Sequence, residues 1–578
     1  MLRLSNTSTS KETQKTLQKK IKNNTKFVDE INQYLHNKGV ELIKRYDVIT
    51  AILLDNENNH PGFSLSTQAA AIDSDTIEWI REKLINISID KNEIYQIIFM
   101  FFGNQYFKKQ LDQFYTPMTI CNFINSLLLP GKTAIDPACG TGDLLNYYRG
   151  HITLVDKSET VLEMTKFISK NLGNRVLIIN KDSLTDFPPP RKYEYCVMNP
   201  PFGCKTVITN KNILDKYVLG KSKSKQEIGI LFVELGLRLL KKNGILCAIV
   251  PNGYLGNTNA NYIALRRLII DNYTLLGIIK LPDSAFSRSG TGVATSIMVI
   301  QNTKPEKDYP IFIENVTEIG YRLNKKNTPF KYKTNDEGFY LYDSSLNPVI
   351  DEGLSHARQL FQTFIYDNKI SNLSSRKTEG SYEIFKKKDL DDRLILDIKR
   401  YLSVYKNIIQ KSNENQDNTL GDYCVGGIDF KFKKNKSMYN YIDIKCVNSP
   451  LYSFNSYSQI TLPSRGKYKV DKGDVLISKL KGKISFTVIT ESMDDLIASN
   501  GFGVVRPRDH NSLVIIFANL FSEMFKIQHQ SMVTGSIMET LSDADIKNIY
   551  IKEDIDYEKY NSILSSITIL NRELTTVT

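Results

Sequence analysis

Thr133-Ala134-Ile135-Asp136-Pro137-Ala138-Cys139-Gly140-Thr141-Gly142-Asp143-Leu144-Leu145 is the stretch whose reading decides the fold. A short apolar strand feeds a small-residue loop, and the apolar residues behind it predict the opening of a helix. Glycines in such a loop let backbone approach a ligand closely at a helix N-terminus. Further apolar runs follow: Ile152 to Val155, Arg175 to Asn180, and Tyr195 to Met198. Helical spacing separates them, and Leu231 to Leu240 reads as a helix before the strand Ile245 to Val250. This alternation, from about residue 111 to about residue 330, predicts an α/β domain with a parallel doubly wound sheet. The loop is not G-x-G-x-x-G and no Walker A sequence occurs, which argues against dinucleotide and triphosphate sites.

Polar residues stand at the ends of these runs. Asp136 closes the first and Asp156 the second, where a carboxylate suits a ribose diol. Asp182 follows the third, where it can accept from an adenine amino group. Taken singly, each acid reads more readily as a turn or a helix cap. The fourth run ends in Asn199-Pro200-Pro201-Phe202. An exocyclic amino group on a nucleobase is a poor nucleophile, because its lone pair is delocalised into the ring. A side-chain amide oxygen and a nearby backbone carbonyl can accept from its two N–H groups. The nitrogen then pyramidalises toward an electrophilic methyl while an aromatic ring stacks on the base. Two prolines stiffen the loop and fix where its carbonyls point. On its own the tetrapeptide reads equally as a strand running into a proline turn; the succession of signals on consecutive strand ends favours the chemical reading.

The order of these motifs resembles the S-adenosylmethionine-dependent N6-adenine DNA methyltransferases. It looks most like the modification subunit of type I restriction–modification systems. Ahead of the glycine loop, Asp112-Gln113-Phe114-Tyr115-Thr116-Pro117 is similar to a segment that cradles the cofactor's methionine end. Behind the Asn-Pro-Pro-Phe loop, Leu281-Pro282-Asp283-Ser284-Ala285-Phe286 and Gly292-Val293-Ala294-Thr295-Ser296-Ile297-Met298-Val299-Ile300 continue the likeness. The resemblance implies a Rossmann-like methyltransferase core that binds S-adenosylmethionine. Its cofactor residues would be Gln113, Phe114, Tyr115, Thr116, Pro117, Asp136, Gly140, Thr141, Gly142, Asp156, Asp182 and Asn199. Its catalytic residues would be Asn199, Pro200, Pro201 and Phe202, acting on an adenine flipped out of duplex DNA. Asn199 and the Pro200 carbonyl would hold N6 and Phe202 would stack on the base, with no covalent enzyme intermediate. Cys139 departs from the pattern and reads as a small buried residue, not a nucleophile. Phe286 reads as core in preference to a second stacking wall.

Composition agrees with this reading without deciding it. At 578 residues the chain is too long for one core, so two to four domains are expected. A net charge of +12 and a pI near 9.0 favour a polyanionic partner, although solubility alone accounts for a mild excess. Seven cysteines without a C-x-x-C pair give no support to a metal site or a disulfide framework and suit a reducing cytoplasm. Met1 is followed by Ser, Thr and Lys, not by an apolar signal region, and no run approaches membrane-spanning length. A cytoplasmic, nucleoid-associated bacterial protein with no membrane partner is the expectation.

The chain divides as follows: a helical domain over 1–110, a methyltransferase domain over 111–370, a linker over 371–392, an α+β domain over 393–556, and a helix over 557–578. In the first, Phe27, Ile31 and Tyr34 share a helical face, as do Ile77, Ile80, Leu84 and Ile87. Residues 431–483 hold 12 Lys and Arg against 3 Asp and Glu, interleaved with Tyr439, Tyr441, Tyr452, Phe454, Tyr457 and Tyr468. This pattern reads either as a solvated strand face or as phosphate contacts by lysines, with base contacts from loops between them. Asp471-x-Gly473-Asp474-Val475-Leu476-Ile477-Ser478, Ser499-Asn500-Gly501-Phe502, Val505-Arg506-Pro507 and Thr534-Gly535-Ser536 resemble a target-recognition domain of a type I specificity subunit.

Ile563, Ile567, Leu570 and Leu574 make a short a/d seam, which serves either a second chain or the helix's own domain. With one recognition domain, the resemblance implies double-stranded DNA as substrate and a homodimer or a partner chain. That partner would be a separate restriction nuclease or a specificity subunit. Four other readings stand beside this one. An RNA or protein amino-methyltransferase would usually lack both the 113–117 segment and the C-terminal domain. A nuclease fusion would need an Asp…Glu-x-Lys cluster. A non-enzymatic DNA-binding protein need not keep Asn199 and the glycine loop. An orphan methyltransferase with no partner nuclease would share every motif.

Overall fold

The computed structural model describes residues 26–41, 45, 48–49, 73–85, 116–170, 176–185, 192–201, 207–287, 292–321, 330–343, 348–426, 430–431, 436–482, 484–535 and 539–577. The chain forms two units, Met1–Leu396 and Asp397–Thr578. In the first, α1 (Lys26–Asn37) buries Phe27, Val28, Ile31 and Leu35 along one stripe. Its Tyr34 stacks on Trp79 of α2 (Ser74–Ile85) with ring centroids 4.0 Å apart, and Glu30 pairs with Lys83 at 2.7 Å. Ile80 is buried, while the Leu84 side chain and Ile87 lie outside the described residues.

Nine strands form one sheet. They are β1 (Thr133–Asp136), β2 (His151–Asp156), β3 (Val176–Asn180), β4 (Tyr193–Met198) and β5 (Leu240–Pro251), then β6 (Thr274–Lys280), β7 (Thr295–Gln301), β8 (Pro310–Asn315) and β9 (Glu383–Lys386). Their order is β9-β8-β6-β7-β5-β4-β1-β2-β3. Strands β1 to β5 pair in parallel. Two strands depart from the parallel expectation: β7 runs antiparallel between β5 and β6, and β9 antiparallel to β8. No helix lies among the described residues between β6 and β7, so the chain returns without the crossover that a parallel neighbour needs. The strand order reverses between β1 and β4. The crevice beyond their carboxyl ends is the topological switch point, where ligands of open α/β sheets sit.

Side chains alternate across the sheet. Tyr195, Val197, Ile245, Cys247 and Ile249 join α3 (Met118–Leu127) and α7 (Leu354–Asp367) in one cluster through Ile120, Phe123, Ile124, Phe361 and Phe364. Burying one such phenylalanine fully stabilises the fold by about 1.5–3 kcal/mol. On the other face Cys196, Met198 and Leu246 meet α5 (Ile228–Arg238). Helices α4 (Glu159–Lys170) and α6 (Ala260–Asn272) fill the β2–β3 and β5–β6 connections. The helix expected behind the glycine loop is only a 3-10 turn, Asp143–Leu145. Strand β2 begins at His151, too soon for a helix to continue.

Residues 371–392, read from composition as a linker, belong to the first unit. Leu373 bridges Leu128, Gln301 Nε2 donates to the Ser371 carbonyl at 3.1 Å, and β9 seats Phe385 in the core. The Ser, Lys and Gly content of 371–380 concealed an edge strand that follows it.

The second unit holds α8 (Ser403–Asn415), β10 (Met438–Ile442), β11 (Asn455–Ser458), β12 (Gly466–Lys469), β13 (Val475–Ser478), β14 (Phe486–Val488), β15 (Leu496–Ser499) and β16 (Phe502–Val505). Helices α9 (His510–Asn519), α10 (Glu523–Met532) and α11 (Tyr557–Val577) follow. The sheets run β11-β10-β15-β12 and β14-β13-β16. Val475 and Ile477 of β13 face the helices, and Leu476 faces the opposite cluster. Helix α11 buries Leu564 and Ile567 in that helical cluster, while Leu570 is exposed. The expected 563-567-570-574 seam is therefore not one continuous free face; Ile567 packs on its own unit. Among the described residues, no helix is long and apolar enough to cross a membrane.

Candidate functional site at the carboxyl edge of the sheet

Asn199 leaves β4 at the switch point. Its Nδ2 donates to Thr116 Oγ1 at 3.0 Å, and its Oδ1 is buried with no hydrogen-bond partner among the described residues. Leaving a buried polar atom unpaired costs about 1–3 kcal/mol, so such an atom calls for an explanation. Thr116 is itself buried, and Pro117 follows as the N-cap residue of α3, its carbonyl accepting from the N–H groups of Ile120 and Cys121. Thr116 and Asn199, 83 residues apart in sequence, thus meet at one point. Pro200 is buried and Pro201 half-buried. Gln113, Phe114, Tyr115 and Phe202 lie outside the described residues.

The glycine loop lies between β1 and β2. Gly140 and Gly142 take the left-handed conformation, with φ of 52° and 85°. A Cβ at Gly140 would meet no described residue within 4 Å, so the described residues leave open space at that point. The loop is held from behind. Gly140 N–H donates to Asp156 Oδ2 at 3.0 Å, and the Gly140 carbonyl accepts from Thr165 Oγ1 at 2.7 Å. The Ser158 N–H donates to Asp156 Oδ1 at 2.9 Å. Asp136 Oδ1 accepts from the Ala138 N–H at 3.0 Å, and Asp182 Oδ1 accepts from the Leu184 N–H at 2.9 Å. Asp143 accepts from the Thr141 hydroxyl. All three predicted acids therefore make turn contacts, and all three stand on one edge with the loop and Asn199.

The electrostatics of this edge are unbalanced. Burial pushes the Asp136 carboxyl up to about 8; the Ala138 N–H opposes the shift, and the charges of Asp156 and Asp143 add to it. Burial pushes Asp143 up to about 6 and raises Asp156. Neither Asp136 nor Asp143 has a lysine or arginine paired with it among the described residues. Such an edge suits a ligand that brings a positive charge. Burial also pushes the Cys139 thiol up, which suits a packing residue and not a nucleophile. Phe286 is wholly buried. Asp143 and the pairing of Thr116 with Asn199 escaped the sequence reading. A second Asn, Asn252, also escaped it, although Val250-Pro251-Asn252 repeats the pattern of an apolar run ending in Asn.

In the second unit Lys445, Arg465, Lys467, Lys469 and Lys472 are exposed. The interleaved aromatics divide differently. Tyr439, Tyr441 and Tyr452 are buried in core clusters, so they are structural and not a stacking surface.

Residues 91–345 match the family model described as N-6 DNA Methylase. The chain is 25% identical over 245 residues to the type I restriction enzyme EcoEI methylase subunit of Escherichia coli, covering 38% of this chain and 48% of that one. It is 26% identical over 253 residues to the type I restriction enzyme MpnII methylase subunit of Mycoplasma pneumoniae, covering 37% and 46%. The chain thus spans about half the length of these relatives. A crystal structure of a modification subunit of a putative type I restriction enzyme from Vibrio vulnificus YJ016 aligns with a TM-score of 0.37 at 16% identity, over 58% of this chain and 70% of that one. That likeness is too slight to carry an argument.

Proposed function

We propose that this chain is a site-specific methyltransferase that transfers a methyl group from S-adenosylmethionine to N6 of adenine in double-stranded DNA. The observation that carries the reading is the buried, unpaired Oδ1 of Asn199 at the switch point, inside the region that matches the methylase model. When bound, the cofactor supplies an electrophilic methyl on a cationic sulfur. The edge fits such a group: Asp136 and Asp143 have no paired cation among the described residues, and those residues leave space open over Gly140. Gly140 to Gly142 and residues 113–117 would hold the amino-acid part, Asp156 the ribose and Asp182 the adenine, with Asp136 among the surrounding acids.

The chain's own residues do the rest. Asn199 Oδ1 and the Pro200 carbonyl accept the two N–H groups of the target amine. Thr116 Oγ1 accepts from Asn199 Nδ2, which leaves the Asn199 oxygen for the base. Phe202 stacks on the flipped adenine. A nitrogen nucleophile needs no covalent enzyme intermediate, and the high Cys139 thiol is consistent with none.

The wider setting is a restriction–modification or related defence system. The 393–556 region acts as the target-recognition domain, with its exposed lysines on phosphates. A second chain, either another copy or a specificity subunit, supplies the other half-site, and a separate nuclease does any cutting. Asn199→Ala tests the core of the reading. Methylation should fall by about 100-fold or more, since one oriented hydrogen-bonding group is lost at the reacting atom. Cofactor affinity measured by calorimetry should stay near wild type. Activity within a few-fold of wild type would remove this loop from the chemistry.

A further inference from the structure

Buried polar groups in folded proteins are hydrogen-bonded with few exceptions. Several such exceptions lie in the first unit, and three of them stand at strand ends on one edge of the sheet. Asn199 Oδ1 follows β4, Asn252 Nδ2 follows β5, and Thr295 Oγ1 opens β7; none has a partner among the described residues. Strand β7 begins where β5 ends, with Pro251 opposite Thr295. Asn252 is 2% exposed and Thr295 wholly buried, so neither group is turned to bulk water. The Asn252 amide is held in place: its Oδ1 accepts from Ser296 Oγ at 2.7 Å, and its backbone N–H donates to the Ala294 carbonyl at 2.9 Å. What remains free is a donor.

The loops after β4 and β5 also meet. At Gly229, in the first turn of α5, a Cβ would fall 3.1 Å from the Pro201 carbonyl oxygen and 2.4 Å from Tyr254 Oη. Pro201 and Tyr254 are therefore neighbours around a point that only glycine leaves open. Tyr254 lies two residues beyond Asn252 in the short helix Asn252–Gly256, so the Asn-Pro-Pro loop and that helix meet at Gly229. Burial and the neighbouring Glu227 keep the Tyr254 phenol neutral.

We propose that Asn252 is a specificity-determining residue of the target-base pocket. Its Nδ2 donates to a ring nitrogen, N1 or N7, that flanks the amino group held by Asn199 Oδ1. Thr295 forms the buried floor behind it. An acceptor on the loop and a donor on the helix read an amino group beside a ring acceptor, which adenine presents on both flanks of N6. This inference rests on the methyltransferase reading above.

Base analogues test it on the full chain, using duplexes that carry the methylated motif once it has been mapped. The target adenine is replaced by 1-deazaadenine or by 7-deazaadenine, each lacking one ring acceptor, and kcat/KM is measured for wild type and Asn252→Ala. Wild type should lose about 30-fold on one analogue, the usual effect of leaving a buried donor unpaired. Asn252→Ala should show a similar loss on ordinary adenine, with no further loss on that analogue. Calorimetric affinity for the cofactor should not change, which separates this role from folding. Equal wild-type rates on adenine and both analogues would overturn the proposal, as would an analogue loss that persists in Asn252→Ala. The wild-type comparison stands even if the variant misfolds. Absence of methyl transfer to ordinary adenine would instead overturn the methyltransferase reading.

Discussion

Asp136 and Asp143 lie at the edge of the large sheet with no cation beside them among the described residues, and burial holds both carboxyls above their ordinary range. The second unit treats its buried acids otherwise. Glu539 takes Lys399 and Lys481 at 3.0 Å each, Asp545 takes Arg400 at 3.3 Å, and Asp474 takes Arg506 at 2.6 Å. Burying a charge without a partner is costly, so a fold normally supplies the partner from its own chain. Where it does not, the group keeps its proton to a higher pH, as Asp136 and Asp143 do. The contrast separates acids paired within their own unit from acids with no cation among the described residues, and the Asn199 oxygen, also without a partner among those residues, lies on the same edge as the second kind.

Breaking a pair in the second unit should give the largest effect on stability. Asp474 is fully buried, so Arg506→Ala strands its charge. The arginine side chain is itself 31% exposed, which discounts the usual cost of breaking a buried pair to about 2–3 kcal/mol. Urea denaturation should register the loss, and an unchanged transition would mean the pair is already water-screened. At the sheet edge Asp156→Ala should instead weaken S-adenosylmethionine binding, by about 1.5–3 kcal/mol, the range for hydrogen bonds to a charged group. Calorimetry that finds the affinity unaltered would assign the ribose to another residue.

A smaller effect concerns pH. Asp143 loses its proton through about 6 and Asp136 through about 8, so raising the pH across that window adds negative charge to the edge. Affinity for the cationic S-adenosylmethionine should rise relative to S-adenosylhomocysteine, whose sulfur is neutral, by up to about tenfold per pH unit for each ionising group. The ligand-free chain behaves in the opposite sense. Carboxyls raised in the folded state contribute stability that is present below roughly pH 4, and it is lost as the pH climbs through their folded values. A ratio of affinities that stays flat from pH 5 to 9 would mean that the cofactor's charge is met elsewhere.

The strands and their polar ends were legible in the sequence because βα alternation puts every carboxyl end on the same edge. Asp136, Asp156, Asp182 and Asn199 could therefore be grouped without coordinates. The direction of β7 was not legible, since Thr295 to Gln301 is buried throughout and an apolar run carries no sign of orientation. Nor was it legible which of the interleaved tyrosines turn inward, because strand periodicity alone does not tell which face is core; Tyr439, Tyr441 and Tyr452 are buried. Thr116 was found as a motif member, but its hydrogen bond to Asn199 spans 83 residues and leaves no local trace. Asn252 did leave one, in the apolar run ending in Pro-Asn, but that its Nδ2 has no partner among the described residues is seen only in the structure.

The most direct test is the chemical identity of the product. Purified full-length chain is incubated with methyl-labelled S-adenosylmethionine and duplex DNA, and the DNA is digested to nucleosides for mass spectrometry. The label should appear in N6-methyladenine, at one sequence motif when the same DNA is mapped by single-molecule sequencing. Label in 4-methylcytosine, in added RNA or protein, or nowhere under conditions where calorimetry detects bound cofactor, would contradict the account.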